Sequence, residues 1–183
     1  MCYNIFMKHY VLTKKEKKRY KQLKKVAKTS SYKSLLIQLY FGVIDKSKIK
    51  KWLKKVKEDF PQALIIGSTT AGEIAHAKMY EGELVLSFSF FQETKLTATY
   101  TQKINAQAGQ KAAKEIYTKN TKAAIVLSEG LYGEDYEAFI QSLKSYRSDV
   151  IIAGGLAGDN FALKSSYVIL NDKLYEKYNL YYQ

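Results

Sequence analysis

A chain of 183 residues, 46% of them hydrophobic, has the length for one domain and enough apolar material for a sizeable core. Its formal net charge of +13 belongs to the first third: residues 1–57 carry 18 Lys or Arg against two acids, and the remainder carries 12 against 15. The single cysteine, Cys2, excludes an intrachain disulfide, and with His9 and His76 it makes a poor metal set.

Met1 to Val11 shows no clear period. Thr13 to Lys28 (TKKEKKRYKQLKKVAK) reads as a helix, with Thr13 and Glu16 in a capping-box pattern. Its apolar stripe, Tyr20, Leu23, Val26 and Ala27, is narrow and can dock on one neighbour. The lysines read as a solvated face, because the Arg and aromatic interleaving of a nucleic-acid groove is missing, so no specific nucleic acid is expected as partner. Ser34 to Tyr40 is a strand candidate. Ile49, Trp52, Leu53, Val56 and Phe60 then recur at helical spacing, with Asp45 as cap and Pro61 as stop. Trp52 is read as core.

The apolar run Ala63 to Ile66 ends at Gly67 and the cluster Ser68, Thr69, Thr70, followed by Ala71, Gly72 and Glu73. A short apolar run bounded by Gly suits a strand buried on both faces. Strand, helix, Pro turn and strand make a βαβ unit with a parallel pair. Glu83 to Phe91 alternates, Leu96 to Ile104 is Thr-rich and β-prone, and an antiparallel hairpin between them is expected. Ala106 to Tyr117 reads as a helix with a face of small residues. Lys122 to Leu127 reads as a strand, Tyr136 to Tyr146 as a helix and Asp149 to Ala153 as a strand. A second hairpin is expected to turn at Asn171-Asp172, between Tyr167–Leu170 and Leu174–Tyr182. The fold class is therefore α/β: a mixed β-sheet with a parallel βαβ core, β-hairpins and flanking helices.

Three apolar strands end in the same grammar: Ala63–Ile66 in GSTTAGE, Ala123–Leu127 in Ser128-Glu129-Gly130, and Val150–Ala153 in GGLAGD. Ligands in open α/β sheets bind at the carboxyl ends of the strands. The candidate ligand-binding set is Ser68, Thr69, Thr70, Glu73, Ser128, Glu129, Gly154, Gly155, Gly158 and Asp159. Carboxylates at Glu73 and Asp159 could receive an ammonium group, while the hydroxyls and glycine-flanked N–H groups could hold a carboxylate, which suits a zwitterion such as an amino acid. The competing reading of Asp159 is an Asx turn or a helix cap. A hydrolase using Ser68 or Ser128 is the enzymatic alternative. It lacks a G-x-S-x-G elbow and a partnered base, so no catalytic residue is assigned. GSTTAGE also lacks the lysine of a phosphate-binding P-loop.

In this order, ALIIGSTTAGEI, ELVLSFSFF, SEGLYGEDYEAFIQSL and VIIAGGLAGD resemble the N-terminal domain of FIST proteins, intracellular signal-transduction proteins of bacteria and archaea. The resemblance begins near Ser34 and leaves residues 1–33 as a basic N-terminal extension with a helix, before a FIST-like domain over 34–183. It implies a sensory module for small ligands such as amino acids. The partners it implies are a C-terminal FIST domain, a histidine kinase, a chemoreceptor or a cyclic-dinucleotide enzyme. Some members of the family sense nitric oxide through haem, for which His76 or Tyr132 would be the axial candidates here. Otherwise no cofactor and no metal is expected. No signal peptide is seen, and the longest apolar-leaning run, Leu35 to Ile44, is too short to span a bilayer, so a cytoplasmic protein without membrane insertion is expected.

Overall fold

The computed structural model describes residues 7–130 and 135–176. Among these residues, ten strands and four helices are arranged around two hydrophobic cores. The larger half is a six-stranded sheet in the order β1-β6-β2-β3-β9-β10. Strands β1 (Met7–Thr13), β2 (Ser34–Phe41) and β3 (Leu64–Thr69) alternate with helices α1 (Lys17–Thr29) and α2 (Lys46–Asp59). The β2–β3 pair is parallel, with Leu39 opposite Gly67, so the expected βαβ core is present. Ile49, Leu53 and Val56 of α2 are fully buried against Ile37, Leu39 and Phe88 of the sheet. Asp45 caps α2 by accepting from the Ser47 and Lys48 N–H groups. Tyr20 and Leu23 of α1 enter the same core, so residues before Ser34 supply both an edge strand and helix packing to this sheet.

The second half is a parallel two-stranded ribbon, β7 (Ala123–Glu129) and β8 (Ile151–Ala157), covered by α3 (Ala106–Ile116) and α4 (Tyr136–Tyr146). Ala108, Ala112 and Ala113 meet Phe139 and Leu143 beneath it. Asn105 and Asp135 cap the two helices through the Ala108 and Ala138 N–H groups. A hairpin of β4 (Glu73–Ala75) and β5 (Lys78–Tyr80) follows β3. The expected turn at Asn171-Asp172 joins β9 (Val168–Leu170) to β10 (Lys173–Tyr175), and residues 177–182 of the expected strand lie outside the described ones.

Four expectations are corrected. The strand β6 (Leu84–Phe91) forms no hairpin with Leu96–Ile104, because β1 and β2 occupy both of its edges and leave the Thr-rich segment without a ladder. β1 occurs where the sequence has no clear period. As an edge strand it is buried only towards Leu12 and Thr13. Trp52 is half-buried rather than core, and packs edge-on to Tyr20 with ring centroids 6.3 Å apart. Finally, the three strands run past their apolar residues. Gly67–Thr69, Ser128–Glu129 and Gly154–Ala157 are strand, not exit loop. Gly67 and Gly154 serve strand pairing: an added Cβ would stand 2.2 Å from the Leu39 carbonyl oxygen and 1.8 Å from that of Val126.

Candidate functional site

The carboxyl ends of β3, β7 and β8 meet, and Thr69 is their junction. Its N–H donates to the Tyr167 carbonyl (2.9 Å), its carbonyl accepts from the Gly158 N–H (2.9 Å), and its hydroxyl oxygen accepts from the Tyr167 N–H (2.9 Å). The Gly130 N–H, just past β7, donates to the Ser166 hydroxyl at 3.2 Å. Gly158 passes so close to β3 that a Cβ would stand 2.9 Å from the Ala71 nitrogen. Thr69, Ser128, Glu129 and Asp159 are buried at this junction and Ser68 is buried on β3 beside Thr69, whereas Glu73 is buried against Gly42 at the end of β2.

Most of these polar groups are turned inward. Glu73 is 3% exposed, and its carboxylate accepts from the Thr70 hydroxyl and from the Glu83 N–H (3.1 Å). Asp159, also 3% exposed, accepts from the N–H groups of Leu163 (3.1 Å), Lys164 (2.6 Å) and Ser165 (3.2 Å). Burial pushes the Asp159 carboxyl up, but these backbone donors together outweigh it and hold it below the usual carboxylate range. The loop they brace is strained: Asn160, Phe161 and Leu163 all have positive φ, between 52° and 60°. Asp159 is thus the loop-bracing residue of the Asx-turn reading.

Ser128 is different. Its hydroxyl is buried and has no hydrogen-bond partner among the described residues. Glu129 beside it is 8% exposed, and its carbonyl accepts from the Tyr136 hydroxyl at 2.7 Å. Gly154 and Gly155 do not join the junction. They lie in the middle of β8 with open space outside Gly155. Ser166 and Tyr167 do join it, buried to 1% and 4% exposure, yet they lie outside every Gly-rich motif and nothing in the sequence marks them.

Both histidines are engaged away from the two serines. His76 Nε2 pairs with Glu16 at 2.9 Å, and His9 Nδ1 meets the Ser89 hydroxyl at 2.9 Å. Neither Ser68 nor Ser128 therefore has a histidine base among the described residues. Of the two haem-ligand candidates, His76 sits on the β4–β5 turn against that carboxylate, and Tyr132 lies outside the described residues.

The FIST N domain family matches residues 36–178. The chain belongs to that family. Its FIST N domain is a sensory domain of signal transduction, and the match spans both parallel pairs and the whole junction between them. Residues 7–35, which carry β1, α1 and the first residues of β2, precede it. No curated protein and no solved structure matches the chain. Among the described residues no helix is long and apolar enough to cross a membrane.

Proposed function

We propose that this FIST N domain senses a small zwitterion of the amino-acid class at the junction of β3, β7 and β8. The observation that carries this reading is the Ser128 hydroxyl, buried and without a hydrogen-bond partner among the described residues, where three strand ends meet. An unsatisfied buried hydroxyl costs roughly 1–3 kcal/mol, and a ligand that supplies its partner removes that cost. Glu129 follows Ser128 on β7, and successive side chains of a strand face opposite sides, so the ligand reaches both around the end of β7. Glu129 is the carboxylate suited to the ligand's ammonium, and Ser68 is the second hydroxyl of the candidate set. Glu73 and Asp159 act as braces, since their oxygens already hold internal donors. The site acts by binding rather than turnover. Its occupancy would be passed, inside the cell, to a C-terminal FIST domain, a histidine kinase, a chemoreceptor or a cyclic-dinucleotide enzyme.

A thermal-shift panel of the common L-amino acids tests this, because a ligand that binds only the native state raises the melting temperature. At least one amino acid should give a concentration-dependent rise, and Glu129→Gln should weaken its binding about tenfold or more, the loss of a charge-paired hydrogen bond. A panel in which no amino acid shifts the melting temperature overturns the reading.

A further inference from the structure

A cavity lies elsewhere, between α1 and α2 over the carboxyl ends of β1 and β2. It has a volume of about 730 Å³, within the range of small-molecule sites. Its floor is apolar and aromatic: Tyr20, Phe41, Val43, Trp52, Leu84 and Leu86. Its rim is cationic. Lys14, Lys17 and Lys21 line one side and Lys48, Lys51 and Lys55 the other. Lys48, Lys51 and Lys55, spaced i, i+3, i+7, form one stripe along α2; opposite them Lys17 and Lys21 stand on α1 and Lys14 on the turn before it.

Some of this charge is compensated. Lys14 pairs with Glu83 at 3.1 Å, Lys55 with Asp59 at 2.6 Å, and Lys48 with Asp45 at 3.5 Å. Lys17, Lys21 and Lys51 have no carboxylate within salt-bridge reach among the described residues. Like charges arrayed around a low-dielectric hollow repel one another and focus a positive potential into it. A merely solvated lysine face has no reason to enclose an aromatic floor. The helices are tied through Tyr20 of α1: its hydroxyl donates to Asp59 of α2 (2.9 Å), its ring meets Trp52 edge-on and lies under the Lys55 ammonium at 4.4 Å, and Asp59 also pairs with Lys24 of α1.

We infer that this cavity is a second ligand site, for a small amphipathic anion: an apolar acyl or aryl body on the aromatic floor and one anionic head among Lys17, Lys21 and Lys51. Lysines present point charges rather than a bidentate fork, so carboxylate and phosphate heads suit them alike. The site is independent of the amino-acid reading, and shares no lining residue with the β3–β7–β8 junction.

Trp52, the only tryptophan in the chain, lines the cavity and serves as the reporter. The purified chain is titrated with decanoate below its micellar range, with decanol, with inorganic phosphate, and with vesicles of anionic phospholipid. Decanoate should change Trp52 emission saturably, with decanol and phosphate at least tenfold weaker, because the site needs body and head together. The double variant Lys21→Gln/Lys51→Gln should bind decanoate at least tenfold more weakly while keeping the wild-type melting temperature, since both side chains are exposed. Val43→Glu, which places a carboxylate in the floor, should abolish the response. Equal affinity for decanol, undiminished binding by the lysine variant, or no saturable response to decanoate overturns the site. Vesicle binding without a decanoate response overturns it too, in favour of a surface contact with lipid.

Discussion

The chain builds two parallel strand pairs and covers them differently. β2–β3 sits inside a six-stranded sheet, with Ile37, Leu39 and Ile65 fully buried. β7–β8 has α3 and α4 on one face only. On the other, Ile151 is 71% exposed and Ile125 47%. Yet ALII, AAIVL and VIIA look alike in sequence. An apolar run reports that a strand has a hydrophobic composition; it does not report how many of its faces are covered, because the covering elements come from elsewhere in the chain.

The comparison can be broken by substitution. Leu53→Ala, under the fully enclosed half, should cost about 2–5 kcal/mol, the largest effect expected here, read from denaturant midpoints. Gly154→Ala drives a Cβ into the Val126 carbonyl and should cost about 1–3 kcal/mol as overpacking. Hydrogen exchange sharpens this second case. Protection should fall in β7 and β8 while β2 and β3 keep theirs, and uniform loss would show that the two halves unfold as one.

Asp159→Ala should cost about 1–3 kcal/mol, because it frees backbone donors of a strained loop. Its effect on ligand binding should follow only from that instability. Asp59 gives a pH signature for the enclosed half alone. Burial pushes its carboxyl up, but Lys24, Lys55 and the Tyr20 hydroxyl outweigh that and hold it at about 2. Its folded value lies below the unfolded value of about 3.9, so the unfolded state binds more protons between them and stability falls as pH drops through that window. Asp59→Asn should flatten the decline of melting temperature from about pH 4 to pH 2. The smallest effect belongs to the uncovered face: Ile151→Thr should stay within about 0.5 kcal/mol of wild type.

Much of the fold was legible. The capped helix over Ile49, Leu53 and Val56 followed from spacing, and the order of strand, helix and strand followed from punctuation at Asp45 and Pro61. The partner of β6 was not legible. Pairing β6 with the next β-prone segment is the local choice, whereas the structure pairs Leu86 with Leu12 and Leu39, far away in sequence. The candidate site was legible as a set of strand ends. Which of its groups turn inward was not, because the donors to Asp159 are backbone N–H groups that any sequence would supply. The α1–α2 cavity was hidden for another reason. Its lysines look like solvated faces until two helices are laid side by side.

The place of β6 also governs the order of events as the chain leaves the ribosome. Chain growth delivers β1, α1, β2, α2 and β3 before residues 84–91 exist, yet β6 is the strand that joins β1 to β2. Until it emerges, β1 has no partner in the sheet, and the nascent chain exposes the edge of β2 with its apolar residues Leu35, Ile37 and Leu39. Domains assemble during synthesis at about 5–20 residues per second, so that edge stays open for seconds. Residues 42–83 thus set a waiting time, and a pause in translation within them would prolong the interval in which β2 can pair with another chain.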